Sequence, residues 1–394
     1  MIESHDPFNA ILQKARALVD DRKLEAVKAW KAAHPGALAI GHMPVWSPRA
    51  LVEGMGALPV SYFGGGDQVD VIKGDAYFQS YICHIPRSTI EQALAGDLDA
   101  LDGMMFPAIC DVIRNLGGMW KMLFPEKLSF YLDLPQNFDP AIGGKFFALE
   151  LKRLVRELEK RGAPKFDRDR MRAAIADENE RRAALVELDE LRRKEPHRMR
   201  ASEAYIAVRA GGMMTAKEHT AMLRALLDAA KSRPARKFDN VRVVLVGSFC
   251  EQPPVDLVVT LERSGCDIID DDLQLGMRMI EGPIDLDAAE DPVDCIALAY
   301  LRKGAASASR YIADLVKGRP LVEKVRQSGA EGVVFAAASF CDPALLDQPM
   351  LEAALTKEGI PFTTMKFAEN TGQFQVIREQ AGAFSDSVKL WGAA

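Results

Sequence analysis

The sequence lacks the patterns by which several common classes of protein are recognised. Its 394 residues include six cysteines but no C-x-x-C pair, and no uncharged apolar run approaches the roughly 18 residues that cross a bilayer. The phosphate-binding pattern G-x-x-x-x-G-K-[ST], the dinucleotide pattern G-x-G-x-x-G and the hydrolase pattern G-x-S-x-G are also missing. A net charge of -6 predicts no basic surface for nucleic acid. The sequence therefore argues against a membrane-spanning protein, a P-loop ATPase and a nucleic-acid-binding protein.

The N-terminus also lacks a basic segment followed by an apolar one, so no signal peptide is predicted and a cytoplasmic location is expected. In a reducing compartment cysteines remain thiols, and they serve as metal ligands, catalysts or core residues. Without a C-x-x-C pair, any metal site must collect its ligands from distant segments of the chain.

What is present is an alternation of strand and helix patterns that predicts an α/β fold. The predicted strands are 37–43, 58–63, 101–106, 128–134, 241–246, 267–270, 333–338 and 362–367. The predicted domains are an N-terminal helical segment (1–36), a first α/β domain (37–145), a helical subdomain (146–235) and a second α/β domain (236–394). The charge runs 168–172 and 178–182 in the helical subdomain are interpreted as solvated helix faces.

Three cysteines are predicted to lie in loops near the ends of strands. Cys83 and Cys110 belong to the first α/β domain, and Cys341 follows the apolar strand 333–338 of the second. Open α/β sheets place their chemistry at the carboxyl ends of the strands, and thiolates are the ligands of iron–sulfur clusters. Three thiolates would leave one iron of a four-iron cluster open to water or substrate. Buried cysteines also pack as small hydrophobic residues, so spacing alone leaves both interpretations open.

Other residues near these loops are weaker candidates. Cys250 is a possible fourth ligand or a thiol close to the cluster, whereas Cys266 and Cys295 are predicted to be structural. His84, next to Cys83, is a candidate proton donor, although a hydrogen-bonded structural histidine is the simpler interpretation. His42, at the end of a predicted strand, has the same two interpretations.

Two further loops have both a structural and a functional interpretation. Gly64-Gly65-Gly66-Asp67 follows a strand and is either a tight turn, which we favour, or a cradle for a phosphate. Glu369-Asn370-Thr371-Gly372-Gln373 either caps the last helix or donates hydrogen bonds to cluster sulfurs.

The cysteine loops resemble those of the benzoyl-CoA reductase / 2-hydroxyacyl-CoA dehydratase family. The resemblance is carried by Tyr81 to Ser88, Phe106 to Asn115, Ser339 to Pro343 and the tail Glu369 to Gly382, and it extends from about residue 25 to the C-terminus. Within the family, Gly64 to Val71 and Ser80 to Gly118 resemble the C subunit of the ATP-dependent benzoyl-CoA reductases.

This resemblance implies two Rossmann-like, doubly wound domains with parallel sheets plus a helical part. It implies a [4Fe-4S] cluster bound by Cys83, Cys110 and Cys341. It further implies a homologous B subunit as partner, an A/D ATPase pair with its own cluster, and ferredoxin as electron donor. The implied reaction is the reduction of benzoyl-CoA to a cyclohexadiene-carbonyl-CoA in anaerobic aromatic degradation. The alternatives are a 2-hydroxyacyl-CoA dehydratase subunit, or a relay or scaffold subunit whose cluster never meets the substrate.

Overall fold

The computed structural model describes residues 6–391 except 44, 67–68, 80, 235, 249–251, 274–279, 311–315 and 369–373. This part of the chain forms two four-stranded parallel sheets surrounded by helices. The strands are β1 (Ala39–His42), β2 (Leu58–Ser61), β3 (Gly103–Pro107), β4 (Leu128–Leu132), β5 (Val241–Val246), β6 (Cys266–Asp271), β7 (Gly332–Ala338) and β8 (Phe362–Phe367). The eight predicted strands are confirmed, each to within two residues at either end.

The described α-helices pack on the sheets and on one another. They are α1 (Pro7–Val19), α2 (Glu25–Ala33), α3 (Arg49–Gly54), α4 (His84–Leu94), α5 (Asp111–Leu123), α6 (Lys145–Lys160), α7 (Arg168–Lys194), α8 (Ala201–Ala210), α9 (Ala216–Ser232), α10 (Val255–Arg263), α11 (Pro292–Lys303), α12 (Arg319–Ser328), α13 (Asp342–Lys357) and α14 (Phe374–Trp391). None of the described helices has both the length and the apolar composition that a bilayer crossing demands.

The two sheets are built on the same plan. The strand order is β2-β1-β3-β4 in the first sheet and β6-β5-β7-β8 in the second, and every pairing is parallel. In each sheet the first strand in the chain pairs with both the second and the third. The second strand is therefore added on one side of it and the later strands on the other, so the strand order reverses at the first strand. That switch point leaves a crevice at the carboxyl ends of the strands, where ligands of such folds bind. The predicted pair of doubly wound α/β domains is confirmed.

The strands form because their sequences suit burial on both faces. β7 reads Gly-Val-Val-Phe-Ala-Ala-Ala, and all seven of its residues are buried. Parallel strands covered by helices on both sides require such continuous apolar runs, because polar side chains on either face would lose their contact with water.

The helical part links the two sheets. α7, which is 27 residues long, packs against α3 of the first domain and reaches β6 of the second. There Arg193 contacts Asp270 at 2.8 Å, and Arg192 forms an ion pair with Asp271. The N-terminal helix α1 packs on α8 and α9, and Phe8 lies within their apolar core.

The interpretation of residues 178–182 as a solvated face is wrong. Glu178, Arg181 and Arg182 are each at most 5% exposed. Arg181 holds the Glu178 carboxylate with two hydrogen bonds of 2.7 and 2.8 Å, and Arg182 donates to the backbone of a neighbouring loop at Gly282. The charges are buried because α7 lies between other elements along this stretch, and each charge has a partner there.

The two α/β domains also touch directly. The indole N–H of Trp46, in the loop after β1, donates a 3.1 Å hydrogen bond to Ser309 Oγ of the second domain. The Trp46 ring meets Tyr300 edge-on at 5.1 Å between centroids. Lys152 on α6 binds Asp291 and Asp294, at the start of α11, at 2.8 and 2.7 Å. These contacts join the loop after β1 and helix α6 to the second domain.

Candidate functional site

Cys110 and Cys341 occupy equivalent positions in the two domains. Each follows the third strand of its sheet, β3 or β7, and each is the N-cap residue of the next helix, α5 or α13. Ser, Thr, Asp and Asn are the usual residues at this position, because their oxygens accept hydrogen bonds from the first turn. Cysteine is uncommon at the N-cap position, and here it occupies the equivalent N-cap position in both domains.

Cys83 is also an N-cap residue, at the start of α4. Pro86 is the third residue of this helix, where its missing N–H costs nothing, so the prediction that Cys83 lies in a loop or first turn is confirmed. All three candidate ligands therefore begin helices. A helix N-terminus carries partial positive charge and stabilises thiolates.

The glycine loop after β2 supports the helix of Cys83. Gly64 has a φ of 78°, and a Cβ at this position would lie 2.8 Å from Ser88 Oγ and 3.1 Å from the Cα of Ile85. The backbone N–H of Gly65 donates to Ser88 Oγ at 2.9 Å. Gly74 lies equally close to α4, since its Cβ would fall 2.1 Å from the carbonyl oxygen of Arg87. Among the described residues of this loop, the glycines allow close backbone packing on α4.

The electrostatic environment of Cys110 combines opposing effects. Burial raises the pKa of this thiol, whereas hydrogen bonds from the backbone N–H groups of Ile113 and Val112 lower it. The negative charges of Cys341 and Asp111 raise the pKa again. The net effect is a raised pKa, because burial is the largest of these influences.

His84 is 7% exposed and forms the first residue of α4. Burial, together with the nearby Arg87 cation, lowers its pKa to about 3. The imidazole is therefore neutral at physiological pH and carries one N–H proton. His42 is similarly buried at the end of β1, where its Nε2 lies 3.1 Å from Ser61 Oγ and its pKa is lowered to about 3, mainly by burial.

The remaining cysteine predictions have different outcomes. Cys266 opens β6 and Cys295 lies on α11, both fully buried, as predicted for structural residues. Cys250 lies outside the described residues, as does the loop 369–373. Within the described ranges, no three His, Cys, Asp or Glu side chains are close enough together to hold one metal ion.

A crevice of about 1120 Å³ opens at the carboxyl edge of the second sheet, bordered by α7, α12 and α13. It is at least as large as a typical small-molecule site. Its lysines already face acids: Lys317 lies 2.8 Å from Asp347, and Lys324 lies 3.1 Å from Asp270. Asp272 accepts hydrogen bonds from the backbone at the end of β5, and burial raises its pKa to about 6. Sequence patterns gave no signal for this crevice, because its walls come from separate segments.

A buried network beneath the first sheet was also missed. Arg49, on α3, donates to the carbonyl oxygen of Met214 at 2.9 Å and lies 3.6 Å from Glu53. His219 Nε2 lies 3.0 Å from the carbonyl oxygen of Ala207, and its Nδ1 lies 3.4 Å from Arg181. A buried Glu-x-x-Arg pair has the same spacing as an exposed one, so the sequence alone does not distinguish them.

The sequence is similar to known proteins over a range that includes all three candidate cysteines. Residues 44–388 match the family described as 2-hydroxyglutaryl-CoA dehydratase, D-component. The C subunit of benzoyl-CoA reductase from Thauera aromatica is 45% identical over 382 residues, which cover 97% of this chain and 98% of that protein.

Two dehydratase subunits are more distant relatives. The (R)-phenyllactyl-CoA dehydratase beta subunit of Clostridium sporogenes is 27% identical over 90% of this chain and 92% of its own length. The beta subunit of lactoyl-CoA dehydratase from Anaerotignum propionicum is 26% identical over 95% of this chain and 98% of its own.

Proposed function

The chain belongs to the 2-hydroxyglutaryl-CoA dehydratase D-component family, and from this premise we propose that it is the iron–sulfur C subunit of an ATP-dependent benzoyl-CoA reductase. The proposed reaction is the reductive dearomatisation of benzoyl-CoA to a cyclohexadiene-carbonyl-CoA. Identity of 45% to a reductase subunit, against 26% and 27% to dehydratase subunits, supports reduction over dehydration.

The observation that carries the proposal is the shared position of three cysteines. Cys83, Cys110 and Cys341 each occupy the N-cap position of a helix, and the last two follow the third strand of their respective sheets. A four-iron cluster offers a separate iron to each thiolate, so its ligands stand further apart than those of a single ion. Three cysteine thiols are the kind of donor that such a cluster takes, and among the described residues no triplet is close enough to hold a single ion.

When bound, a [4Fe-4S] cluster supplies low-potential one-electron transfer. The chain's own residues prepare its site. All three thiols lie at helix N-termini, whose partial positive charge favours a bound thiolate, and the N–H groups of Val112 and Ile113 hydrogen-bond to Cys110 and oppose the effect of burial on its pKa. Burial of Cys341, which is 4% exposed, keeps water from that ligand.

We propose that His84 holds a proton beside the cluster site. It directly follows the proposed ligand Cys83, and its imidazole is neutral at physiological pH, so one ring nitrogen can give up its proton while the other accepts a replacement. Cys250 remains a candidate fourth ligand or neighbouring thiol on its sequence position alone.

The proposed partners are a homologous B subunit, an A/D pair of ATPase subunits and ferredoxin as the electron donor. Two features support this division of labour. The relatives are themselves named as subunits, and this sequence has no P-loop of its own. ATP hydrolysis would then take place in the other subunits of the complex.

The proposal is tested by producing the chain together with its B subunit under strict exclusion of oxygen. Iron and acid-labile sulfide are measured first, and about four of each per chain are expected from one cluster. The A/D subunits, ATP and reduced ferredoxin are then added with benzoyl-CoA. Formation of the cyclohexadiene thioester supports the reductase, and a cluster-free preparation with full activity would refute the iron–sulfur role.

A second candidate function is that of a 2-hydroxyacyl-CoA dehydratase subunit. The family description and two relatives favour it. The same preparation assayed with (R)-phenyllactyl-CoA separates the two, because dehydration forms an enoyl-CoA without net reduction. If neither substrate perturbs the spectrum of this subunit's cluster while benzoyl-CoA perturbs that of its partner, the chain is an electron relay or scaffold.

A further inference from the structure

The turn that delivers Cys341 to its helix has an unusual residue in it. The N–H of Cys341 donates to the carbonyl oxygen of Ala338 at 3.1 Å, which closes a four-residue turn after β7. Phe340, the third residue of that turn, has a φ of 71°. Turns with a positive φ at this position normally use glycine or asparagine, because a bulky side chain is strained there.

The strain is not offset inside the described chain. The Phe340 side chain is 50% exposed and belongs to none of the apolar clusters that the described residues form. Its neighbour Cys341 is only 4% exposed. A large aromatic group is thus held at the surface in an unfavourable conformation, one residue before a candidate ligand. Strained residues of this kind gather at functional sites, where the conformation serves the site.

We propose that Phe340 is a positioning residue whose ring covers the metal group bound at Cys341 and keeps water away from it. This role rests on the proposed cluster. Phe340 directly precedes Cys341 in the chain, and its half-exposed side chain lies at the surface of the same turn. The apolar surroundings of a cluster control its access to solvent and hence its reduction potential.

The test compares the wild-type complex with Phe340→Gly, Phe340→Asn and Phe340→Leu. Glycine and asparagine accept the positive φ but remove the apolar cover, whereas leucine keeps apolar bulk. Leu346→Ala is the matched control, since Leu346 is a 75% exposed apolar residue within α13, outside the strained turn. The measurements are thermal unfolding of the metal-free protein, the rate at which a ferrous chelator removes iron, and the cluster's midpoint potential.

We expect the glycine and asparagine variants to release iron several-fold faster than wild type. Their midpoint potential should become more positive, because water stabilises the more negative reduced state. Their metal-free forms should be at least as heat-stable as wild type, because strain is relieved. The leucine variant should stay near wild type in iron release, and Leu346→Ala should match wild type in all three measurements.

Several results would overturn this role. If Phe340→Gly releases iron at the wild-type rate, the ring is not a cover. Lower stability of the metal-free variant would mean that Phe340 serves the fold. Loss of the B subunit with unchanged iron release would make it an interface residue, and a raised KM for benzoyl-CoA with unchanged iron release would make it a substrate contact. A wild-type complex without iron would refute the proposed cluster and this role together.

Discussion

Cys110 and Cys341 hold the same position in two different sheets, because each follows the third strand of its sheet and is the N-cap residue of the next helix. They are 231 positions apart in the sequence (341 minus 110). Neither domain could build this pair alone. A ligand that binds both thiolates would therefore depend on how the two domains are joined.

Replacing a candidate ligand should remove the metal. We expect Cys341→Ala to lose the iron of the anaerobically purified complex, because a cluster held by three thiolates cannot keep its geometry on two. Cys266→Ala is the matched control, because Cys266 is a fully buried cysteine in β6. The control should keep its iron and lose about 1–2 kcal/mol of stability to the cavity. Equal iron contents in the two variants would contradict the assignment.

His84→Gln should slow turnover without loss of iron. Glutamine keeps a polar side chain of similar size but does not exchange a proton in the way imidazole does. The measurements are iron content and the steady-state rate with benzoyl-CoA. Arg87→Lys, one turn further along α4, serves as the control for local disturbance of the helix, because it keeps the cation near His84. Turnover of His84→Gln at the wild-type rate would end the proposed role.

A methyl group at Gly74 should displace the helix of Cys83. The new Cβ would lie 2.1 Å from the backbone oxygen of Arg87, so either the loop or α4 has to move. We expect Gly74→Ala to lose about 1–3 kcal/mol of stability and to hold less iron. Gly118→Ala in α5 is the control, because nothing lies within 4 Å of its added Cβ and alanine favours a helix. A Gly74→Ala protein with the wild-type iron content would contradict the expected displacement.

Removal of the buried Glu178 charge should destabilise the helical part. Glu178→Gln leaves Arg181 and Arg182, whose side chains are 3% and 6% exposed, without their carboxylate. Breaking one side of a buried pair costs about 3–5 kcal/mol, and urea unfolding measures the change. Asp228→Asn, which breaks the exposed pair with Lys231, should leave the urea midpoint unchanged. Similar midpoints for the two variants would show that the buried pair contributes little.

Stability should fall on acidification through buried histidines, of which His42 and His219 are the most deeply buried. Burial lowers the pKa of both His42 and His219 to about 3, below the value of about 6.5 in an unfolded chain. As the pH falls, these histidines therefore bind protons in the unfolded state before they do so in the folded state. The contribution of these histidines to the free energy of unfolding is fully present above about pH 6.5 and is lost progressively toward about pH 3. At about pH 5.5 the loss is about 1.4 kcal/mol per histidine.

His219→Gln isolates one of these contributions. Glutamine can donate to the carbonyl oxygen of Ala207 and accept from Arg181, as the neutral imidazole does. Urea unfolding at about pH 7.5 and about pH 5.5 should show a smaller loss in the variant, by about 1.4 kcal/mol. An unchanged difference between the two pH values would mean that folding does not lower the pKa of His219.

Local sequence was sufficient for much of the fold. All eight strands were predicted because each contains apolar or β-branched residues bounded by turn or helix signals, and the fully buried run Val333 to Ala338 is the clearest case. The family, predicted from the cysteine loops, is confirmed. The error at 178–182 arose because a charged helix face looks the same in the sequence whether water or another helix covers it.

The sequence by itself determined the alternation of strands and helices, the family, and the choice of Cys83, Cys110 and Cys341 as candidates. Those features depend on side-chain type and short spacing, which act between near neighbours in the chain. Only the tertiary structure decided that all three cysteines lie at helix N-termini, that two of them hold equivalent positions in the two sheets, and that Phe340 has a strained backbone beside one. These features arise from how distant segments pack and from backbone angles fixed by that packing, which local pattern does not encode.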